Sequence, residues 1–245
     1  MKKFLVIIVW LSCVAYAVGD YFVDFALKRG EDLSPPKACA DIADPNLKAP
    51  PAPNFPAEDW TLESFDGLKL HAKRFSPAES SERWAILIHG YGRDGTFAYD
   101  YADEYLKRGW NVLIPDLRAS GQSEGQFITM GALESRDVRD WAAKLPADAK
   151  IILHGVSMGA ATALMTASLE PKNLVAVVDK IKVPVLFIHG DADGLVPFEM
   201  MTRLFDACAA PKEKFIVEGA GHADAKPSNP AAYFDRVFAF LNRHS

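Results

Sequence analysis

Residues 155–159 read Gly155-Val156-Ser157-Met158-Gly159, and they are the part of this chain best suited to do chemistry. The apolar run Ile151-Ile152-Leu153 precedes them, and a small-residue helical run, Ala160 to Leu169, follows. In that setting a sharp strand-to-helix turn lifts a serine hydroxyl off a sheet edge. Glycines two residues to either side remove the side chains that would collide there. The plainer alternative is a serine that caps a small-residue helix. A neutral serine is a poor nucleophile, so covalent chemistry needs a histidine base and a carboxylate to orient and charge-balance it. Asp193 and His222 follow in the order expected after such a turn. His222 sits among Gly219 and Gly221, which free a loop to present an imidazole, and Asp193 lies four residues past His189. Asp191 competes for the role of the acid.

The remaining histidines suit other work. His71 falls in an early hairpin and His244 is penultimate. His154 and His189 end strands just before a glycine, as satisfied side chains would, and His89 shapes its own loop by hydrogen bonds. An acyl-transfer oxyanion also needs two preorganised backbone N–H donors. Met158, directly after the serine, supplies one; Tyr91, in the loop His89-Gly90-Tyr91-Gly92, supplies the other.

Several elements must carry these residues. Trp60–Phe65 and Leu68–Phe75 flank Asp66-Gly67, a two-residue hairpin signal, and predict an antiparallel pair at a sheet edge. Trp84–Ile88, Asn111–Ile114, Ile151–Leu153 and Val183–Ile188 read as buried strands, and Lys214–Val217 as a last one. Helical periodicity covers Thr96–Arg108, Met130–Leu145, Glu199–Ala209 and Pro230–Arg243. Strands alternating with helices predict an α/β fold with a mostly parallel, doubly covered sheet. Reactive loops then gather outside the carboxyl ends of its strands.

At 245 residues and a net charge of −5, the chain suits one α/β domain with additions, and it lacks the basic blocks of a nucleic-acid binder. Lys2-Lys3 precede sixteen uncharged, mostly apolar residues, Phe4 to Gly19. Residues 1–19 therefore read as a signal peptide, cleaved at Ala15-Tyr16-Ala17, or as an uncleaved membrane anchor. Either way the domain is exported, being secreted or held at the outer face of the cytoplasmic membrane. Residues 20–58 read as a linker, with seven prolines between 34 and 56, and residues 59–245 as the domain. The three cysteines, Cys13, Cys39 and Cys208, have no metal-ligand spacing, and a Cys39–Cys208 bridge is conceivable in an exported chain. No metal or cofactor is expected.

Five motifs in order make the chain resemble the α/β hydrolases, in particular bacterial serine hydrolases with an N-terminal signal or anchor. They are His89-Gly90-Tyr91-Gly92, the run from Asp116 to Ser123, Gly155 to Gly159, Gly190-x-x-Asp193-x-x-Val196-Pro197 and Gly221-His222. The resemblance spans residues from about 60 to 243. It implies that Asp193, not Asp191, is the acid, and that Asp116, Arg118 and Ser123 stabilise a loop. One departure stands out. Leu174–Val178 would be the strand after the serine's helix, yet only Asp179-Lys180-Ile181-Lys182 separates it from the strand at 183–188. A parallel crossover needs roughly a dozen residues or more. The sheet is therefore expected to be truncated between these segments, with the usual cap absent. Three accounts are open: Leu174–Val178 is an irregular or edge segment, the chain is a natural or engineered deletion product with a compromised sheet, or the two segments pair in an unusual way.

The functional expectation is a serine hydrolase of small-molecule esters, with amides or short peptides next, working through Ser157, His222 and Asp193. The alternative is an inactive or deletion-compromised protein of the same fold that acts as a binding module.

Overall fold

The computed structural model describes residues 18–32, 34–37, 48–168 and 179–244. The leader over 1–17, Cys13, Cys39 and the segment 174–178 lie outside them. The elements, in chain order, are a helix over residues 18–27 (α1), β1 (Ala57–Glu63), β2 (Lys69–Phe75), β3 (Arg83–Ile88), α2 (Tyr99–Lys107), β4 (Asn111–Pro115), α3 (Glu134–Lys144), β5 (Lys150–Gly155), α4 (Met158–Ser168), β6 (Val185–Gly190), α5 (Phe198–Ala207), β7 (Lys212–Val217), α6 (Ala225–Ser228) and α7 (Pro230–His244).

Among the described residues, five strands form one sheet in the order β1-β2-β4-β3-β5, while β6 and β7 form a parallel pair. β3 pairs in parallel with both β4 and β5, and the hairpin β1–β2 runs antiparallel along the outer side. Apolar β3 and β4 are buried along almost their whole length, as strands covered on both faces must be. One face carries α2 and α7, with Tyr101, Tyr105, Leu106, Phe234 and Val237 in the core. The other face holds Trp84, Ile86, Leu113, Val138 and Trp141. A third, smaller cluster, built on Ile181, Phe187, Met201 and Cys208, sits under β6 and α5.

Several element ends differ from the sequence reading, and at two of them side chains give the reason. The hairpin turns over Phe65-Asp66-Gly67 rather than two residues. Ser64 N–H donates to the Leu68 carbonyl at 2.8 Å, the Ser64 hydroxyl donates to Asp66 Oδ1, and Gly67 takes a φ of 85°. Arg118 holds the Asp66 carboxylate from the far side, which explains the wider turn. α3 begins at Glu134 rather than Met130. The Glu134 carboxylate folds back to accept the N–H groups of Thr129 (2.6 Å) and Gly131 (2.9 Å), fixing 129–131 as a loop with Met130 and Gly131 at positive φ. Cys208 is a free, buried thiol, and its conceived partner Cys39 lies outside the described residues.

Within the stretch read as a linker, residues 26–30 lie on the domain. Lys28 and Phe127 form an antiparallel bridge, and Phe55 packs against the core beside α2. No helix among the described residues is long and apolar enough to cross a membrane.

Candidate active site

β5 delivers Ser157, and three facts explain its presentation. Its backbone sits at φ 54°, a left-handed conformation that costs a serine about 1–3 kcal/mol and persists only where packing imposes it. A side chain on Gly155 would strike the Gly159 carbonyl, and one on Gly159 would strike the carbonyls of Ile88 and His89. Both glycines are thus required by close backbone approach, and the hydroxyl is left at an exposed position.

The other two residues come from the separate strand pair. Asp193 follows β6 and His222 follows β7, yet both meet the serine. Ser157 Oγ lies 2.8 Å from His222 Nε2, and His222 Nδ1 lies 2.9 Å from Asp193 Oδ2. The second Asp193 oxygen, Oδ1, accepts the N–H groups of Leu195 (2.9 Å) and Val196 (2.8 Å). Burial alone would raise the Asp193 pKa, but these two N–H groups and His222 outweigh it and hold the carboxyl below its ordinary value. With Asp193 ionised, Nδ1 carries the proton that faces it, and Nε2 is left to accept from the serine hydroxyl. Asp191 goes elsewhere, accepting the Gly219 N–H at 2.6 Å. The Asp193 side chain is 4% exposed and that of His222 is 25% exposed, so the imidazole faces outward from a sheltered carboxylate.

Met158, the other N–H donor read from the sequence, is buried at the start of α4. The loop after β3 passes close by: a Cβ on Gly90 would lie 3.5 Å from Ser157 Cβ, which puts Tyr91 beside the serine turn. The loop is braced as expected. His89 Nδ1 reaches the Gly90 carbonyl at 2.9 Å, Leu117 N–H donates to His89 Nε2 at 3.0 Å, and burial lowers the His89 pKa so that it stays neutral. Asp116 accepts from Gly95 N–H (2.8 Å) and Gln122 N–H (2.9 Å), while the Ser123 hydroxyl donates to the Asp116 carbonyl. Arg118 joins Asp137 and Asp66; its hydrogen bond brings the Asp66 pKa to about 2. These residues stabilise a loop and touch none of the three site side chains.

His154 is set apart from the serine, three residues upstream. Its ring bridges the hydroxyls of Tyr105 (2.9 Å) and Tyr233 (2.8 Å), and desolvation among them pushes its pKa down to about 4. His71 bridges Asp59 and Asp116, and His189 reaches the Val196 carbonyl at 3.0 Å. Reading the sequence missed one participant, Tyr91's partner: its hydroxyl donates to the Ala26 carbonyl of α1, a contact with no local signal. Among the described residues no group of His, Cys, Asp or Glu is placed to hold a metal ion.

Comparison with known proteins agrees with this architecture. Residues 66–179 match the profile of the X-Pro dipeptidyl-peptidase (S15) family, and residues 168–245 that of the prolyl oligopeptidase family. Among solved structures, the *Pyrococcus furiosus* esterase Pf2001 superposes with a TM-score of 0.71 at 22% identity, covering 82% of this chain and 99% of that one. Est1E from *Butyrivibrio proteoclasticus*, solved with ferulic acid, gives 0.64 at 19%, covering 76% and 98%. Among curated sequences, the uncharacterized protein YqkD of *Bacillus subtilis* is 27% identical over 64% of this chain and 70% of its own length. Protein bem46 of *Schizosaccharomyces pombe* is 23% identical over 81% of each. The chain has the α/β-hydrolase fold. Fold and family profiles together support a hydrolase of the α/β-hydrolase type.

Proposed function

We propose that this protein is a serine hydrolase that cleaves carboxylic esters through an acyl-enzyme. The observation that carries the reading is the unbroken chain of hydrogen bonds from Ser157 Oγ through His222 to Asp193, at 2.8 Å and 2.9 Å. Ser157 Oγ bonds to the substrate carbonyl carbon while its proton passes to His222 Nε2. The carbonyl oxygen becomes an oxyanion that accepts from the N–H groups of Met158 and Tyr91. The carbon–oxygen bond to the leaving group then breaks, and His222 returns the proton to the departing alkoxide. Water, deprotonated by His222, attacks the acyl-enzyme and restores the serine. Asp193 holds the imidazole in the working tautomer and stabilises the imidazolium.

Esters are preferred over amides because Ser157 is exposed and His222 partly so, and an open, wet site asks least of an alkoxide leaving group. Both matching profiles are of peptidase families, which keeps short peptides as the second substrate class. Export is part of the same reading, with the N-terminus either cleaved or kept as an anchor at the outer face of the cytoplasmic membrane. It is supported by the apolar run Phe4 to Gly19 and by Val18, Tyr21, Phe22 and Val23, which α1 leaves exposed. A fluorophosphonate probe tests the chemistry. It should label the wild-type chain and not Ser157→Ala; no labelling, or labelling that persists in the variant, sinks the reading. Flotation with anionic vesicles tests the attachment, which fails if the full chain stays unbound.

A further inference from the structure

We infer that residues 26–29, upstream of the domain proper, are a working part of the active site, with Arg29 the positioning residue that keeps the loop after β3 in place. The inference rests on the Ser157-centred reading above and adds to it a requirement for the N-terminal segment.

Five hydrogen bonds carry it. Tyr91, whose N–H is the second oxyanion donor in that reading, donates its hydroxyl to the Ala26 carbonyl. Ile128 N–H donates to the Leu27 carbonyl at 2.9 Å, and Arg29 N–H to the Gln126 carbonyl at 2.7 Å, flanking the Lys28–Phe127 bridge. The buried Arg29 guanidinium donates to the Ser123 carbonyl at 2.7 Å and to the Gly121 carbonyl. Asp116 then links 121–123 back to the loop after β3 by accepting from Gln122 N–H and Gly95 N–H, and Leu117 N–H does the same through His89. The contacts close a ring: Tyr91 to Ala26, along the backbone to Arg29, across to Gly121 and Ser123, and through Asp116 and His89 to the segment that carries Tyr91.

The ring matters because an oxyanion donor works only if its position is set before the charge develops. A loop anchored at one end lets that N–H wander, whereas a loop held from two directions does not. A guanidinium supplies two fixed donors to two carbonyls at once, which a single ammonium cannot reproduce with the same geometry. Even a small misplacement at a reacting centre costs up to about 100-fold in rate.

The test compares full-length wild type, Arg29→Met, Arg29→Lys and Tyr91→Phe, below the melting temperature of each. It reads kcat and KM for p-nitrophenyl acetate and the inhibition constant of an aryl trifluoromethyl ketone, whose adduct with a serine is an oxyanion. Arg29→Met should lower kcat roughly 10-fold to 100-fold with KM within about twofold, and weaken the ketone by a similar factor. Arg29→Lys should recover part of both. Tyr91→Phe keeps the backbone N–H and every Arg29 contact, and should lose about threefold in the same two quantities. If Arg29→Met does not fold, Tyr91→Phe alone decides. The inference is overturned if the variants match wild type, or if activity falls only in step with the folded fraction while ketone affinity holds. A wild-type chain that neither turns over ester nor labels at Ser157 removes the underlying reading, and the inference with it.

Discussion

The five-stranded sheet and the β6–β7 pair contribute to one site but are built to different standards. In the first, Leu70, Ala72, Ile86, Val112 and Leu113 are wholly enclosed, and Trp141 sits at 0% exposure among them. In the second, Phe187 and the Met201 that packs on it from α5 are buried, but Ile216 of β7 is 40% exposed and Val183, just before β6, 56%. β5 and β6 do not pair, and among the described residues no ladder joins the two parts along that edge. The link is made by side chains. Tyr233, Phe234 and Val237 of α7 share the core with α2 and β4, and Leu186 and Ile188 of β6 pack on that same cluster. Tyr233 hydrogen-bonds His154 of β5, and Lys226 of α6 pairs with Asp100 of α2. Leu164 and Ala167 of α4 reach the cluster under β6. Ser157 belongs to the first part, Asp193 and His222 to the second.

The largest expected effect tests whether both parts are needed. Ser157→Ala and Asp193→Asn should each lower kcat about 10⁴-fold or more, with melting temperatures near wild type. The double variant should be scarcely worse than the poorer single one, because the residues act as a unit. If Asp193→Asn keeps most of its activity, the second part contributes scaffold rather than chemistry.

Stability should separate the two parts next. Leu113→Ala, at a sealed position, should cost about 2–5 kcal/mol in denaturant melts, whereas Ile216→Ala, at a half-open one, should cost less than about 1 kcal/mol. Equal losses would remove the contrast. Hydrogen exchange offers the same comparison without mutation: amides of β6 and β7 should open at lower free energy than those of β3 and β4.

The link between the parts should respond to acid. His154 titrates at about 4 in the folded chain and near 6.5 when unfolded. Above pH 6.5 the imidazole is neutral in both states. As pH falls from about 6.5 towards 4 the unfolded chain takes up a proton that the folded one refuses, so stability declines by up to about 3 kcal/mol, less where water reaches the ring. In His154→Gln this share of the decline should vanish from melts recorded across that range. An unchanged slope would assign the acid sensitivity elsewhere.

The smallest effect concerns the ion pair beside this link. Lys226→Met should cost roughly 0–1 kcal/mol, because Asp100 is well exposed.

Much of this was legible in the residues themselves. The serine turn was readable because its glycines are demanded locally, by backbone atoms within a few residues or on the adjacent strand. Strand and helix positions followed from hydrophobic runs and periodicity. Their ends shifted where a side chain intervened, from far away when Arg118 took Asp66 and from nearby when Glu134 folded back on Thr129. The truncation expected between 174–178 and 183–188 rests on residues outside the described ones, and what the structure adds there is the unpaired relation of β5 to β6. The N-terminal stretch read as a proline-rich spacer, because composition reports chain stiffness and says nothing of what a segment rests on.

The sequence alone determined the serine's turn, the order serine–aspartate–histidine and the loops that carry each, since these depend on local backbone demands and on strand ends. Only the tertiary structure decided which aspartate oxygen meets His222, how α7 packs against both groups of strands, and that Ala26 meets Tyr91 while Arg29 meets the turn at 121–123. Those are contacts between segments tens of residues apart. Such contacts form where packed surfaces and unsatisfied donors happen to converge, and they leave no periodic trace in the chain.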